Sequence, residues 1–167
     1  MNHQGKTMID KNGYRFNVAI VLINNKNQVF WGKRKGDTSW QFPQGGLYEN
    51  ESIETAMFRE LNEELGLQKE DVKIIGRTND WLYYDVPDNY NRNNNKFYKG
   101  QKQIWYLLHL ISPQDKINLS KFKEQEFDDW RWINYWAPIH LVIPFKKTVY
   151  QNALFELSKL IGLDPNQ

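Results

Sequence analysis

Apolar and polar positions change period several times along the chain, and each change marks an element. Tyr14 to Ile23 ends in a continuous apolar run from Val18, as a buried strand does, and closes on the turn-forming cluster Asn24-Asn25-Lys26-Asn27. Gln28-Val29-Phe30-Trp31 resumes the apolar pattern and predicts a hairpin. A basic loop, Lys33-Arg34-Lys35-Gly36-Asp37, and the segment Trp40-Gln41-Phe42-Pro43 lead into Gly45-Gly46. Helical spacing starts near Glu51 and runs to Leu65, where Gly66 stops it. Val72 to Val86 is β-rich, Ile104 to Leu108 reads as a buried strand, and Trp130 to Ile133 as another. Val149, Ala153, Leu154, Leu157, Leu160 and Ile161 recur at helical spacing between Lys146 and Ile161. Pro87 to Gly100 is asparagine-rich with hardly any aliphatic residue, which predicts one long loop. Strands on both sides of a central helix, followed by a terminal helix, predict an α+β chain built as an α/β/α sandwich with a mixed sheet. Residues 1–12 are expected to form a flexible N-terminal segment, the first seven an extension, and 13–162 a single domain.

The central helix, "ESIETAMFRELNEELG", breaks its own pattern. Ile53, Met57, Leu61 and Leu65 step by four and define one apolar stripe. With Met57 at zero and an advance of ~100° per residue, Glu64 falls at about −20°, Glu60 at about −60° and Glu63 at about −120°. Two carboxylates therefore lie within the face that should be buried. A buried ionised carboxylate is costly unless it is paired or bound to metal. The three are helical neighbours that repel one another, near the helix end whose dipole disfavours anions. Arg59, four before Glu63, can form an ordinary surface pair; it is the azimuth of Glu60 and Glu64, combined with the glycine loop before the helix, that points to a site. A hard divalent cation, Mg²⁺ or Mn²⁺, would remove the repulsion.

Composition narrows the chemistry further. The 167 residues suit one domain. With 22 basic and 20 acidic residues the net charge is +2, which excludes broad coating of nucleic acid, and no DNA partner is expected. Cysteine is absent, which removes thiolate zinc sites, iron–sulfur clusters and cysteine nucleophiles. The early apolar run is far shorter than the ~18 residues that span a bilayer, and the start lacks a signal-peptide layout, so a cytoplasmic protein is expected. Aromatic residues reach 15% although mean hydropathy is −0.76, so the core is expected to draw on rings. Gly5-Lys6-Thr7 has no upstream glycine or strand to complete a phosphate loop. His3, His109 and His140 lack metal-ligand spacing, and His109 reads as a core histidine.

Gly45, Glu51 and the run Arg59-Glu60-Leu61-Asn62-Glu63-Glu64-Leu65-Gly66-Leu67 look like a complete Nudix box. The family resemblance implies an α/β/α sandwich and metal-dependent hydrolysis of a nucleoside diphosphate linked to another group. "GYRFNVAIV", "WQFPQGG", "GQKQIW", "EFDDWRWINYW" and "FKKTVY" further resemble the bacterial RNA 5′-pyrophosphohydrolases, a subgroup also labelled dinucleoside polyphosphate hydrolases. This likeness covers roughly residues 8 to 155 and is weakest at 87–99.

The resemblance implies roles residue by residue. Glu60 and Glu64 would be the main metal ligands, Glu63 a third ligand or the general base, and the Gly45 carbonyl a backbone ligand. Glu126 would reach the metal from a distant loop, although spacing alone does not select it over Asp128 or Asp129. Arg59 would orient the glutamates or pair with Glu51, which would brace the loop. Arg15, Arg34, Ser39 and Gln101 would face the 5′ nucleotides and phosphates, and Phe145 and Lys146 would stack on and contact a base. The Trp130–Trp136 cluster reads as structural, with Trp130 and Trp132 on one sheet face. Two or three divalent ions would clamp the phosphate oxygens, lower the pKa of a bound water and align it for in-line attack. The expected substrate is the 5′-triphosphate or diphosphate end of RNA, converted to a 5′-monophosphate at the start of mRNA decay. A dinucleoside polyphosphate substrate uses the same box, and a non-catalytic nucleotide- or RNA-binding module would use the same scaffold. Intact Glu60, Glu63 and Glu64 argue against the last.

Overall fold

A computed structural model describes residues 6–90 and 98–166. Its axis is a parallel pair, β1 (Tyr14–Ile23) with β7 (Gly100–Leu110), in register from Tyr14 opposite Gly100 to Ile23 opposite His109. Both faces of this pair are covered, which is why both strands carry continuous apolar runs rather than alternation. The remaining strands add antiparallel. β2 (Val29–Arg34) follows β1 through the asparagine turn and carries β3 (Trp40–Gln41) and β8 (Phe127–Ile133). β4 (Gln44–Gly46) lies on β1 for three residues. β5 (Val72–Arg77) and β6 (Leu82–Asp85) lie on β7. The result is the expected mixed-sheet sandwich.

Alternation along β1 divides two cores. Val18, Ile20 and Leu22 pack with Ala56, Met57, Leu61 and Leu65 of α1 (Ile53–Leu65). Ala19, Val21 and Ile23 face Val149, Tyr150, Ala153, Leu154 and Leu157 of α3 (Lys147–Ser158), which follows the short α2 (Pro138–Leu141). The second core is largely aromatic. Trp31, Phe42, Trp105 and Tyr150 meet mostly edge to face, with centroids 5.1 to 6.1 Å apart, and the Tyr150 hydroxyl accepts the Phe42 amide at 3.1 Å. Such rings bury large areas from few positions, so a polar chain still has a core. Trp130 stacks on Phe30 at 5.3 Å and touches Trp132, both half-buried against the α1 side.

Several boundaries differ from the sequence pattern. The helix begins at Ile53 because Ser52 caps it, its hydroxyl accepting from the Thr55 amide at 3.1 Å, and Gly66 ends it with φ of 70°. β7 starts at Gly100, since Gln101 and Gln103 occupy buried ladder positions that hydropathy alone rejects. Within 87–100 a short helical turn covers Asp88–Tyr90, and residues 91–97 lie outside the described residues. His109 is half-buried rather than in the core, because it sits at the strand end, where Asn25 Oδ1 meets its Nε2 at 2.7 Å. Ahead of β1, the Met8 amide donates to Leu47 O at 3.1 Å and the Phe16 amide donates to Met8 O at 2.9 Å.

At Gly32 a Cβ would lie 2.7 Å from the ring of fully buried Phe127. Gly32→Ala should therefore cost about 1–3 kcal/mol of unfolding free energy by overpacking, read as a lower urea midpoint with unchanged slope.

Candidate active site

Helix α1 presents its acidic positions as the wheel predicts. Glu60 and Glu64 are buried, while the Glu63 side chain is 45% exposed. Burial raises the pKa of the Glu60 carboxyl, Arg59 partly opposes this, and Glu63 adds to it. Glu64 is raised well above the carboxylate range by burial first, then by the charges of Glu60 and Glu126.

Arg59 answers the repulsion. It donates to Glu51 through Nε (2.7 Å) and Nη2 (2.9 Å), to Glu60 through Nη1 (2.7 Å), and to Gly46 O at 2.8 Å. Glu63 lies 3.4 Å from Nη1, and the Tyr48 ring covers the guanidinium at 4.0 Å. Burial disfavours the charged guanidinium, yet Glu51 and Glu60 together raise its pKa. Glu51 also accepts the Tyr48 amide at 3.1 Å, so it braces the loop from outside the helix.

The glycines bring backbone against these carboxylates. A Cβ at Gly45 would overlap the Glu60 carboxylate, and one at Gly46 would overlap the Arg15 guanidinium. β4 is fixed from behind by a polar network inside the sheet. Gln103, fully buried, donates from Nε2 to Asn17 Oδ1 (2.9 Å) and Gln44 Oε1 (2.8 Å), and its Oε1 accepts the Trp105 indole N–H at 3.1 Å. Tyr84, next to Gln44, is buried, and burial pushes the pKa of its hydroxyl up. Sequence reasoning passed over Gln44, Gln103 and Tyr84. The available signal was a glutamine standing inside an otherwise apolar strand.

The other expected residues surround this centre. Four buried side-chain atoms lack a hydrogen-bond partner among the described residues: Arg15 Nε, Ser39 Oγ, Glu64 Oε2 and Gln101 Oε1. All four belong to residues singled out from the sequence. Unsatisfied buried polar atoms are uncommon in folded proteins, and each is a position where a polar ligand could bind. Arg15 and Gln101 are register partners across β1 and β7. Arg34 donates its amide to Ser39 O at 2.9 Å, and its side chain reaches Glu126 at 3.6 Å and Asp37 at 4.0 Å. Lys146 is buried, donates to Gln41 Oε1 at 3.2 Å, and is pushed down to about 8 by burial and by Arg34, with Glu126 opposing. Phe145 packs on Tyr90 (4.9 Å) and Tyr84 (6.0 Å), outside the acidic cleft.

That cleft, of about 450 Å³, is lined by Lys35, Glu60, Glu63, Glu64, Lys123, Glu124, Gln125 and Glu126. No three acidic or histidine side chains among the described residues already stand in a coordinating arrangement, and Arg59 holds Glu60. The donor set nevertheless fits a hard divalent cation: carboxylate oxygens around one cleft, an unpartnered Glu64 Oε2, and a glycine backbone against Glu60 with no room for a side chain.

A NUDIX domain family model matches residues 13–153, most of the chain. The chain belongs to the Nudix family. It is a Nudix hydrolase acting on phosphoric anhydride bonds, and enzymes of this family generally need divalent metal ions. Solved structures share the fold. A C. elegans Ap4A hydrolase in a binary complex matches with a TM-score of 0.64 and 19% identity over 89% of this chain and 98% of that one. The E. coli dihydroneopterin triphosphate pyrophosphohydrolase matches at 0.63 and 16%, over 84% and 95%. A Listeria monocytogenes protein described as a Nudix hydrolase matches at 0.62 and 26%, over 88% and 94%.

Two predictions follow from burial in this Nudix site. Because the folded pKa of Glu64 lies above its unfolded value, its contribution is fully present below the unfolded carboxylate pKa and is lost as pH rises through the folded one. In metal-free buffer Glu64→Gln should melt higher than the wild type at pH 8, by roughly 1–3 kcal/mol, with the gap closing toward pH 5, as followed by calorimetry. Gln103→Met would leave Asn17, Gln44 and Trp105 without their partner, costing about 2–3 kcal/mol of stability in urea. It should also weaken Mn²⁺ binding about tenfold in an electron-paramagnetic-resonance titration of the folded protein.

Proposed function

We propose that this Nudix hydrolase removes phosphates from the 5′-triphosphate or diphosphate end of RNA, leaving a 5′-monophosphate and so initiating mRNA decay. The observation that carries the reading is the coincidence of unpaired buried polar atoms with residues expected at a phosphate-bearing end: Arg15, Ser39 and Gln101. Arg15 and Arg34 supply fixed cations for phosphate oxygens, and Lys146 supplies one that burial makes easy to neutralise. Phe145, backed by Tyr84 and Tyr90, offers a ring on which an unstacked base can lie. The likeness of "WQFPQGG", "GQKQIW" and "FKKTVY" to the RNA 5′-pyrophosphohydrolases supports the same substrate.

Glu60, Glu64, Glu63, the Gly45 carbonyl and Glu126 would hold divalent ions, Mg²⁺ or Mn²⁺, which supply charge neutralisation on the phosphates and an acidified water. Glu63, exposed in the cleft beside Arg59, would serve as a third ligand or as the base that takes the proton of the attacking water. Arg59 keeps Glu60 and Glu51 in place, and no covalent nucleophile is needed.

A second reading is hydrolysis of dinucleoside polyphosphates. The C. elegans neighbour is an Ap4A hydrolase, and the same cleft and rim suit that substrate class. A direct comparison separates the two. With Mg²⁺, 5′-triphosphate RNA should be turned over with higher kcat/KM than diadenosine tetraphosphate, and Glu63→Gln should lose at least about a hundredfold on either. The reverse preference would replace the RNA reading by the dinucleotide one, and no metal-dependent turnover of either would remove both.

A further inference from the structure

Two lysines stand in the acidic cleft without partners. Lys35 and Lys123 line it with Glu60, Glu63, Glu64, Glu124 and Glu126, yet neither makes an ion pair or side-chain hydrogen bond among the described residues. The surrounding chain is arranged to put them there. A register shift between Lys33 and Arg34 interrupts the β2–β8 ladder, and such bulges re-aim the side chains that follow. Lys33 is taken by Asp128 at 2.9 Å and Arg34 by Glu126, while the Lys35 amide is pinned to Glu126 O at 2.8 Å. The segment carrying Lys123 is anchored before it, by the Asn118 amide on Leu65 O (2.8 Å) and by Lys121 on Asn62 Oδ1 (2.8 Å), and after it at Glu126. The lysine at the centre of this tethered crossing is left unspent.

Once divalent ions occupy the carboxylates, the two ammonium groups and the ions are all cations around one space. With the carboxylates' charge offset by the ions, that arrangement favours an anion with several charges. We propose that Lys35 and Lys123 form the subsite for the leaving diphosphate: they hold the phosphates beyond the bond that breaks, and so favour a triphosphate over a diphosphate end. This rests on the enzyme being a pyrophosphohydrolase and does not depend on which nucleotide carries the phosphates.

The test uses inorganic pyrophosphate and Mg²⁺ with the full chain. Binding to the wild type is compared by calorimetric titration with Lys35→Gln, Lys123→Gln and the double variant. Lys159→Gln, which removes the same charge from the far end of α3, serves as control. Charge-assisted hydrogen bonds from two lysines predict about ten- to thirtyfold weaker binding in the double variant and no change in the control. In turnover, the double variant should lose kcat/KM on triphosphate ends at least fivefold more than on diphosphate ends. A loss of pyrophosphate affinity under fivefold, or an equal loss in Lys159→Gln, overturns the subsite. The titration requires no turnover, so failure of the RNA reading would show in the activity comparison alone.

Discussion

Everything around the candidate active site answers one electrostatic problem: two carboxylates on the face of α1 that packing must bury. Burial favours the neutral form of both Glu60 and Glu64, and Glu60 lies against Gly45 and borrows the charge of Arg59. Arg59 can lend that charge only because Glu51, Gly46 and the Tyr48 ring hold it in place. The strictness at Gly45 and Gly46 follows from the same crowding. In the protein without ions, stability is spent on keeping carboxylates together, and a divalent cation would return it.

The rim is built on different physics. Its cations come from strands and loops far apart in sequence, and the parallel ladder of β1 with β7 brings Arg15 beside Gln101. Arg15 reaches over Gly46, so the rim meets the acidic cleft at the short strand β4. Phe145 packs on Tyr90 and on the buried Tyr84, outside the acidic cleft.

Much of this was readable from sequence because it depends on period and on burial cost. The continuous apolar runs of β1 and β7 declare strands covered on both faces, and the azimuths of Glu60 and Glu64 declare a conflict that only a site resolves. Position 126 was not readable by spacing, since a carboxylate delivered by a loop across the sheet leaves no periodic trace. Gln103 was hidden for the opposite reason: its polar atoms are satisfied by partners at 17, 44 and 105, which meet only after the sheet forms. The three-residue contact of β4 with β1 is too short for any pattern to announce. Lys35 and Lys123 look like ordinary surface charge until the bulge and the anchored loop place them in one cleft.

The network behind β4 has a fixed direction. The Trp105 indole can only donate, so Gln103 must present its oxygen there and both amide hydrogens toward Asn17 and Gln44. Gln44 is then committed to receive from Gln103 through its side-chain oxygen. No second arrangement of these amides satisfies the same atoms, so this wiring has no alternative state to switch into. The short strand that carries Gly45 is thus held from behind in a single orientation, with its carbonyls and amides set before any ligand arrives.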